Sequence, residues 1–350
     1  MTKNSEESLF RDIPKWFFPT LLLFGIFLLF LPYLITLPAP FGIGFSETGQ
    51  IGDTIGGITT PVIAFAGIIL TFFAFWVQYR ANLNQQEDIR NQRKDIKIER
   101  FENKFYEMIR LHKENLNEII VGRKKPVKAR RAFITMFEEF KFGYNILKNK
   151  YHDSLKKDKS TDEILTEKDL INISYIVFFH GIGSSSNPIT LKHLSHYPDK
   201  FIKPFIEFLR KVQEFSRNPS KTVENVNTYS YVSSFMPNIN YIPFQGHMSR
   251  LGHYYRHLWR TMKFVDGQSD ININDKYNNY MTMLRAQISS YEQLLFYYNC
   301  LSQLGNNWIK GGYLQRYCLV KNMPLPLADF GPNPIEVLGE ENDEGRKMFE

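Results

Sequence analysis

TIGGITTPVIAFAGIILTFFAFWVQY, residues 54–79, carries no charged side chain and closes on Trp76 and Tyr79. An uncharged apolar stretch of this length predicts a helix that crosses a bilayer, with the aromatic end lying in the interfacial belt. Toward the N-terminus, residues 16–37 form a second uncharged run around LLLFGIFLLFLPYLI. A helix over it would extend about 33 Å at about 1.5 Å per residue, enough to span a hydrocarbon core. The run exceeds a typical signal-peptide core and lacks a small-residue cleavage site before Pro38 and Pro40, which favours a retained span. Lys3, Arg11 and Lys15 precede the first run, the connection 38–53 has no Lys or Arg, and Arg80, Arg90, Arg93, Lys94, Lys97 and Arg100 follow the second. Positive flanks stay in the cytoplasm, so a two-span hairpin over 16–79 is expected, with residues 1–15 and the C-terminal part inside.

The segment FGIGFSETGQIGDTIGG, residues 41–57, reads as the outer turn of that hairpin. Gly52 and Gly56 make a GxxxG step that Gly57 widens, a pattern that lets helix backbones approach closely, within the hairpin or between copies in a homo-oligomer. Asp53 stands at the mouth of this seam. A carboxylate there either caps the packing or serves an ion path, and its place near the interface favours packing.

After Arg80 the residues up to 120 contain no Gly or Pro and consist mostly of good helix formers, which predicts a stalk helix continuing the second span. Apolar residues at 98, 101, 105 and 108 give it one adhesive face. A helical cytoplasmic domain is expected over 121–330 and a flexible tail over 331–350, making the chain mainly α. The whole sequence of 350 residues carries a net charge of +7. Topology alone accounts for an excess of this kind, although the cluster Arg123, Lys124, Lys125, Lys128, Arg130 and Arg131 leaves contact with nucleic acid or lipid headgroups open; a solvated patch is the simpler reading. The cysteines, Cys300 and Cys318, have no metal-knuckle spacing and fit a reducing compartment.

GIGSSS, residues 181–186, meets neither the phosphate-loop template nor the nucleophile-elbow template. His180, His193 and His196 lack a recognisable fourth zinc ligand. Residues 151–169 and 218–243 read as connections. No metal or cofactor is expected.

Chemistry concentrates in GHMSRLGHYYRHLWRTMKFVD, residues 246–266, and YMTMLRAQISSYEQLLFYYNCLS, residues 280–302. Helical spacing puts Arg250, His253 and His257 on one face of the first, and Arg285, Ser289 and Glu292 on one face of the second. The reading that needs least is a structural polar network of His253, His257, Arg285 and Glu292, with a histidine against the carboxylate. A second reading makes Arg250, His257 and Glu292 candidate catalytic residues: Arg250 and His257 resemble the Arg-and-His pattern of helical HEPN ribonucleases, the imidazole acting as acid or base and the guanidinium stabilising phosphoryl charge. Leu251 departs from that pattern, which favours a polar residue there. A third reading, a metal held by His253, His257 and Glu292, lacks an HExxH motif.

Several stretches recur in order in one family. IGDTIGGITTPVIAFAGIIL, FWVQYRANLNQQ, FENKFYEMIRLHKEN, GHMSRLGHYYRHLWRTMKFVD and LRAQISSYEQLLFYYNCLS resemble the phage abortive-infection proteins of bacteria, AbiC-like membrane proteins. The resemblance implies a bacterial inner-membrane protein that protects by arrest or death of the infected cell. It also implies a phage-derived trigger, with the bilayer as partner and no established catalytic residue, so that a non-enzymatic effector is expected. A membrane anchor for a separate partner protein is the remaining alternative.

Overall fold

The computed structural model describes residue 16, residues 19–20, 23–27, 30, 48–122, 125–152, 165–218, 239–269, 271–272 and 275–349. The fold is mainly α. Most of the first expected span, 16–37, and the turn up to residue 47 lie outside the described residues. So do Arg123 and Lys124 of the basic cluster. The chain divides into two compact units, 1–101 and 102–350.

The dominant element is α1, Thr48–Asn117. Among the described residues it is the one helix long and apolar enough to cross a membrane. It begins earlier than the sequence suggests, since residues 48–53 of the expected turn are already helical. An isolated glycine in a helix costs only about 1 kcal/mol relative to alanine, so Gly49 and Gly52 do not stop it. Within the first unit Phe65, Ile68 and Phe72 are 62%, 65% and 72% exposed. The hydroxyls of Thr54 and Thr71 donate back to the carbonyls of Gln50 and Gly67, at 2.7 and 2.8 Å, so these two polar groups are satisfied within the helix. Among the described residues a Cβ added at Gly52, Gly56 or Gly57 would meet nothing within 4 Å.

The second unit begins within α1 at Glu102. After α1 a two-residue antiparallel hairpin pairs β1 (Ile120–Val121) with β2 (Val127–Lys128). Part of the basic cluster is thus built into structure. Arg130 opens α2 (Arg130–Ile146) and, though its side chain is 57% exposed, donates to the Gln287 carbonyl at 3.2 Å, so it is not a purely solvated charge.

Two helices apolar on nearly all sides form the centre. In α3 (Glu167–His180) every residue from Leu170 to His180 is buried, and in α8 (Ser290–Leu301) every residue from Glu292 to Leu301 is buried. Helices without a polar face have to be surrounded, and α2 packs against both. Phe140 of α2 lies 5.7 Å from Phe178 of α3 and 5.1 Å from Tyr298 of α8, ring centre to ring centre. The start of α3 is a capping box, in which the Thr166 amide donates to Asp169 Oδ2 at 2.9 Å and the Asp169 amide donates to Thr166 Oγ1 at 3.2 Å.

Around this centre lie α4 (Asn187–Leu194) and α5 (Asp199–Arg217), then α6 (Met248–Asp266). The stretch 280–302, read from sequence as one helix, is broken. A π turn (Lys276–Met281) leads into α7 (Thr282–Ala286), the backbone leaves the helix at 287–289, and α8 starts afresh. Ser289 and Glu292 form a second capping box, which is a helix-start signal placed inside a continuous amphipathic pattern. Short helices α9 (Asn307–Lys310) and α10 (Tyr313–Tyr317) follow.

The C-terminal segment is not a flexible tail. Residues 331–349 contain α11 (Pro334–Leu338) and a bridge between Glu341 and Lys347, and Met348 is fully buried. Tyr297 and Tyr298 donate to the carbonyls of Pro332 and Phe330, each at 2.9 Å, which ties the segment to α8.

Candidate functional site

The start of α6 is fixed by a close backbone crossing. The Ile182 amide donates to the Phe244 carbonyl at 2.9 Å and the His247 amide to the Phe179 carbonyl at 2.8 Å. Gly181 and Gly246, with φ of +83° and +91°, face each other in this crossing, and a Cβ on either would collide with the opposing backbone. The glycine at the head of GIGSSS therefore serves chain crossing.

From this start α6 buries Leu251, Tyr254, Tyr255, Leu258, Thr261, Met262 and Val265. That stripe, and not the histidines, faces the core. The side chain that meets Glu292 is Tyr254, whose hydroxyl donates to Oε2 at 2.6 Å. Ser289 donates its amide and hydroxyl to Oε1 at 3.2 and 2.5 Å, and Arg130 Nε lies 3.7 Å from the same oxygen. Burial raises the Glu292 carboxyl above its ordinary range, opposed by Ser289, Tyr254 and Arg130. Burial also pushes the Tyr254 hydroxyl well up, reinforced by the carboxylate. Fully buried His112 stacks near Tyr254 and His257 at 4.9 and 5.9 Å. Burial, then the neighbouring His257 and Arg130, bring His112 down to about 4.

The expected network is therefore redistributed. The His257 ring bonds the Met108 carbonyl at 2.7 Å, a backbone partner that no spacing rule on α6 could indicate. Arg285 is buried and donates to the Cys318 carbonyl at 3.2 Å, away from Glu292 because the break at 287–289 separates the two helices. His253 is exposed in a surface groove of about 710 Å³, beside Arg256, Trp259 and Trp308. With His257 on the Met108 carbonyl, Glu292 on Tyr254 and Ser289, and His253 exposed in the groove, the three-residue metal reading has no common centre. No group of three potential metal ligands occurs among the described residues. His180 and His193 are stacked at 4.7 Å.

Arg250 leads to a different place. Its Nε donates to the Ile120 carbonyl at 2.7 Å and its Nη1 to the Gly246 carbonyl at 3.3 Å, on the wall of a cavity of about 670 Å³. Arg217, Tyr241, Gln245 and His247 share that wall. Behind it Glu139, fully buried on α2, accepts from the Phe244 amide at 2.6 Å, from the Tyr241 hydroxyl, and lies 2.9 Å from His247 Nε2. Glu139 and Tyr241 are absent from the sequence reading. A glutamate in an aromatic helix face, FITMFEEF, is the signal that could have found the first. His257 does not line this cavity among the described residues, so Arg250 and His257 do not converge on one reacting centre.

Residues 246–327 match the family model described as "putative phage abortive infection protein". This is the family the sequence resembles. The matched stretch runs from the crossing glycine through α6 to the turn after α10, and so contains both Tyr254 and Glu292. Arg250, His257 and most of the groove around His253 also fall inside it. No curated protein and no solved structure gives a significant match to the chain.

Proposed function

We propose that this protein is a membrane-anchored anti-phage effector acting by abortive infection. The observation that carries the reading is the family match over 246–327, joined in one chain to a helix whose uncharged stretch leaves Phe65, Ile68 and Phe72 exposed. Exposed apolar surface of this extent is unfavourable in water and favourable in lipid. The uncharged run 16–37 would supply the second crossing, giving two spans with both termini in the cytoplasm. The Gly52, Gly56 and Gly57 face would then pack against the first span or a second copy, with Asp53 near the outer surface.

In this reading the helical domain registers a product of infection, and its altered packing biases the membrane segment through α1 toward a state that impairs the bilayer. The ribonuclease alternative needs Arg250 and His257 on one phosphate, and their separate engagements with Ile120 and Met108 weigh against it. Anchoring is tested by alkaline extraction of cell membranes. The wild-type chain is expected to remain with the lipid, and the double variant Phe65→Arg, Ile69→Arg to leave it and lose phage protection, since a cation at mid-span costs about 2.5–3.5 kcal/mol. Full protection from an extracted, non-membrane variant would contradict the reading.

A further inference from the structure

The cavity at Arg217 and Arg250 has a character that phage defence alone does not explain. Among the described residues its lining contains two arginines and no acidic side chain. Glu139, behind the wall, does not neutralise it: Tyr241, the Phe244 amide and His247 occupy its oxygens. Arg250 is clamped by two backbone carbonyls through Nε and Nη1, which orients the guanidinium and leaves Nη2 without a hydrogen-bond partner among the described residues. Arg217, the last residue of α5, is exposed and makes no ion pair among the described residues. His247 is only 2% exposed, yet its Nδ1 has no hydrogen-bond partner among the described residues. An open volume walled by unneutralised guanidiniums favours an anion, and forked guanidiniums match phosphate oxygens better than point charges do. The remaining wall carries the amide side chains of Asn240 and Gln245 beside apolar Ile239 and Ile242. Amides and apolar surface together suit a heterocyclic base, and about 670 Å³ lies within the range of small-molecule sites.

We propose that this cavity binds a nucleotide, with Arg217 and Arg250 on its phosphates. The proposal goes beyond the abortive-infection reading and does not depend on membrane anchoring. It is tested on the full chain in detergent by following the melting temperature and the heat of binding with ATP, with inorganic tripolyphosphate, and with a single-stranded RNA of about twenty nucleotides. Saturable ATP binding is expected, weakened about tenfold or more by Arg217→Glu while the unliganded melting temperature stays unchanged. Lys192→Glu, the same charge change outside the cavity, should leave binding intact. Tripolyphosphate should bind more weakly than ATP, because it cannot use the amide and apolar wall. Three results would each overturn the proposal: no saturable ATP binding at millimolar concentration, equal loss in both charge variants, or RNA binding that strengthens with length and is not displaced by ATP.

Discussion

Tyr254 on α6 donates its hydroxyl to Glu292 Oε2 on α8 at 2.6 Å, joining two elements of the family-matched stretch through a fully buried carboxylate. Ser289 and Arg130 complete its surroundings, so removing the carboxylate strands several donors at once. Glu292→Ala should destabilise the domain by about 3–5 kcal/mol, as breaking a buried charged network does, and Tyr254→Phe by about 1–2 kcal/mol. Thermal or urea melting of the purified protein measures both. A loss under about 1 kcal/mol for Glu292→Ala would remove the network from the account.

Acid should weaken the fold before the carboxylates as a class begin to titrate. Burial holds His112 and His180 at about 4, against 6.5 for a free histidine. Between those values the unfolded chain binds more protons than the folded one, so the contribution is complete above about pH 6.5 and is lost as pH falls toward about 4. For His112 this amounts to about 2–4 kcal/mol. Melting temperature should therefore fall as pH drops below about 6.5, and His112→Phe, which keeps a ring beside Tyr254, should flatten that fall.

Glu139 organises the chain entering α6, through Tyr241, Phe244 and His247. Glu139→Ala is expected to cost about 3 kcal/mol and to speed amide hydrogen exchange at 239–247 more than elsewhere in the domain. Uniform faster exchange across α3 and α8 would mean that the residue supports the whole core instead.

His257→Phe preserves a ring beside His112 and gives up one bond, to the Met108 carbonyl. The variant should lose about 1 kcal/mol of stability and retain phage protection in plating assays. Protection abolished in a stable variant, with RNA cleaved in infected wild-type cells and intact in the variant, would favour a ribonuclease.

The mainly α class was legible because α1, α3 and α8 carry long runs without Gly or Pro breaks, or apolar on every side. The histidine arrangement was less so. Helical spacing puts Arg250, His253 and His257 within one arc of α6, yet they meet the Ile120 carbonyl, an open groove and the Met108 carbonyl in turn, and only the neighbouring elements decide that the core takes Tyr254 and Leu258. Likewise Ser289 and Glu292 three residues apart signal a helix start, and the amphipathic pattern of 280–302 hides it because both pieces bury the same kind of residue. Long-range backbone acceptors, Met108 for His257 and Cys318 for Arg285, leave no trace in local sequence. The segment 331–349 shows no long periodicity because its one helix has five residues and buries only Pro334 and Leu338, while the Tyr297 hydroxyl and the buried Met348 hold the rest.

The central claim is that infection is turned into damage at the membrane. Membrane potential, followed with a voltage-sensitive dye in cells infected by a phage the protein excludes, tests it most directly. The account predicts depolarisation before phage release in cells with the wild-type chain, and none with the Phe65→Arg, Ile69→Arg variant. Growth arrest and full protection with an unchanged potential would contradict it.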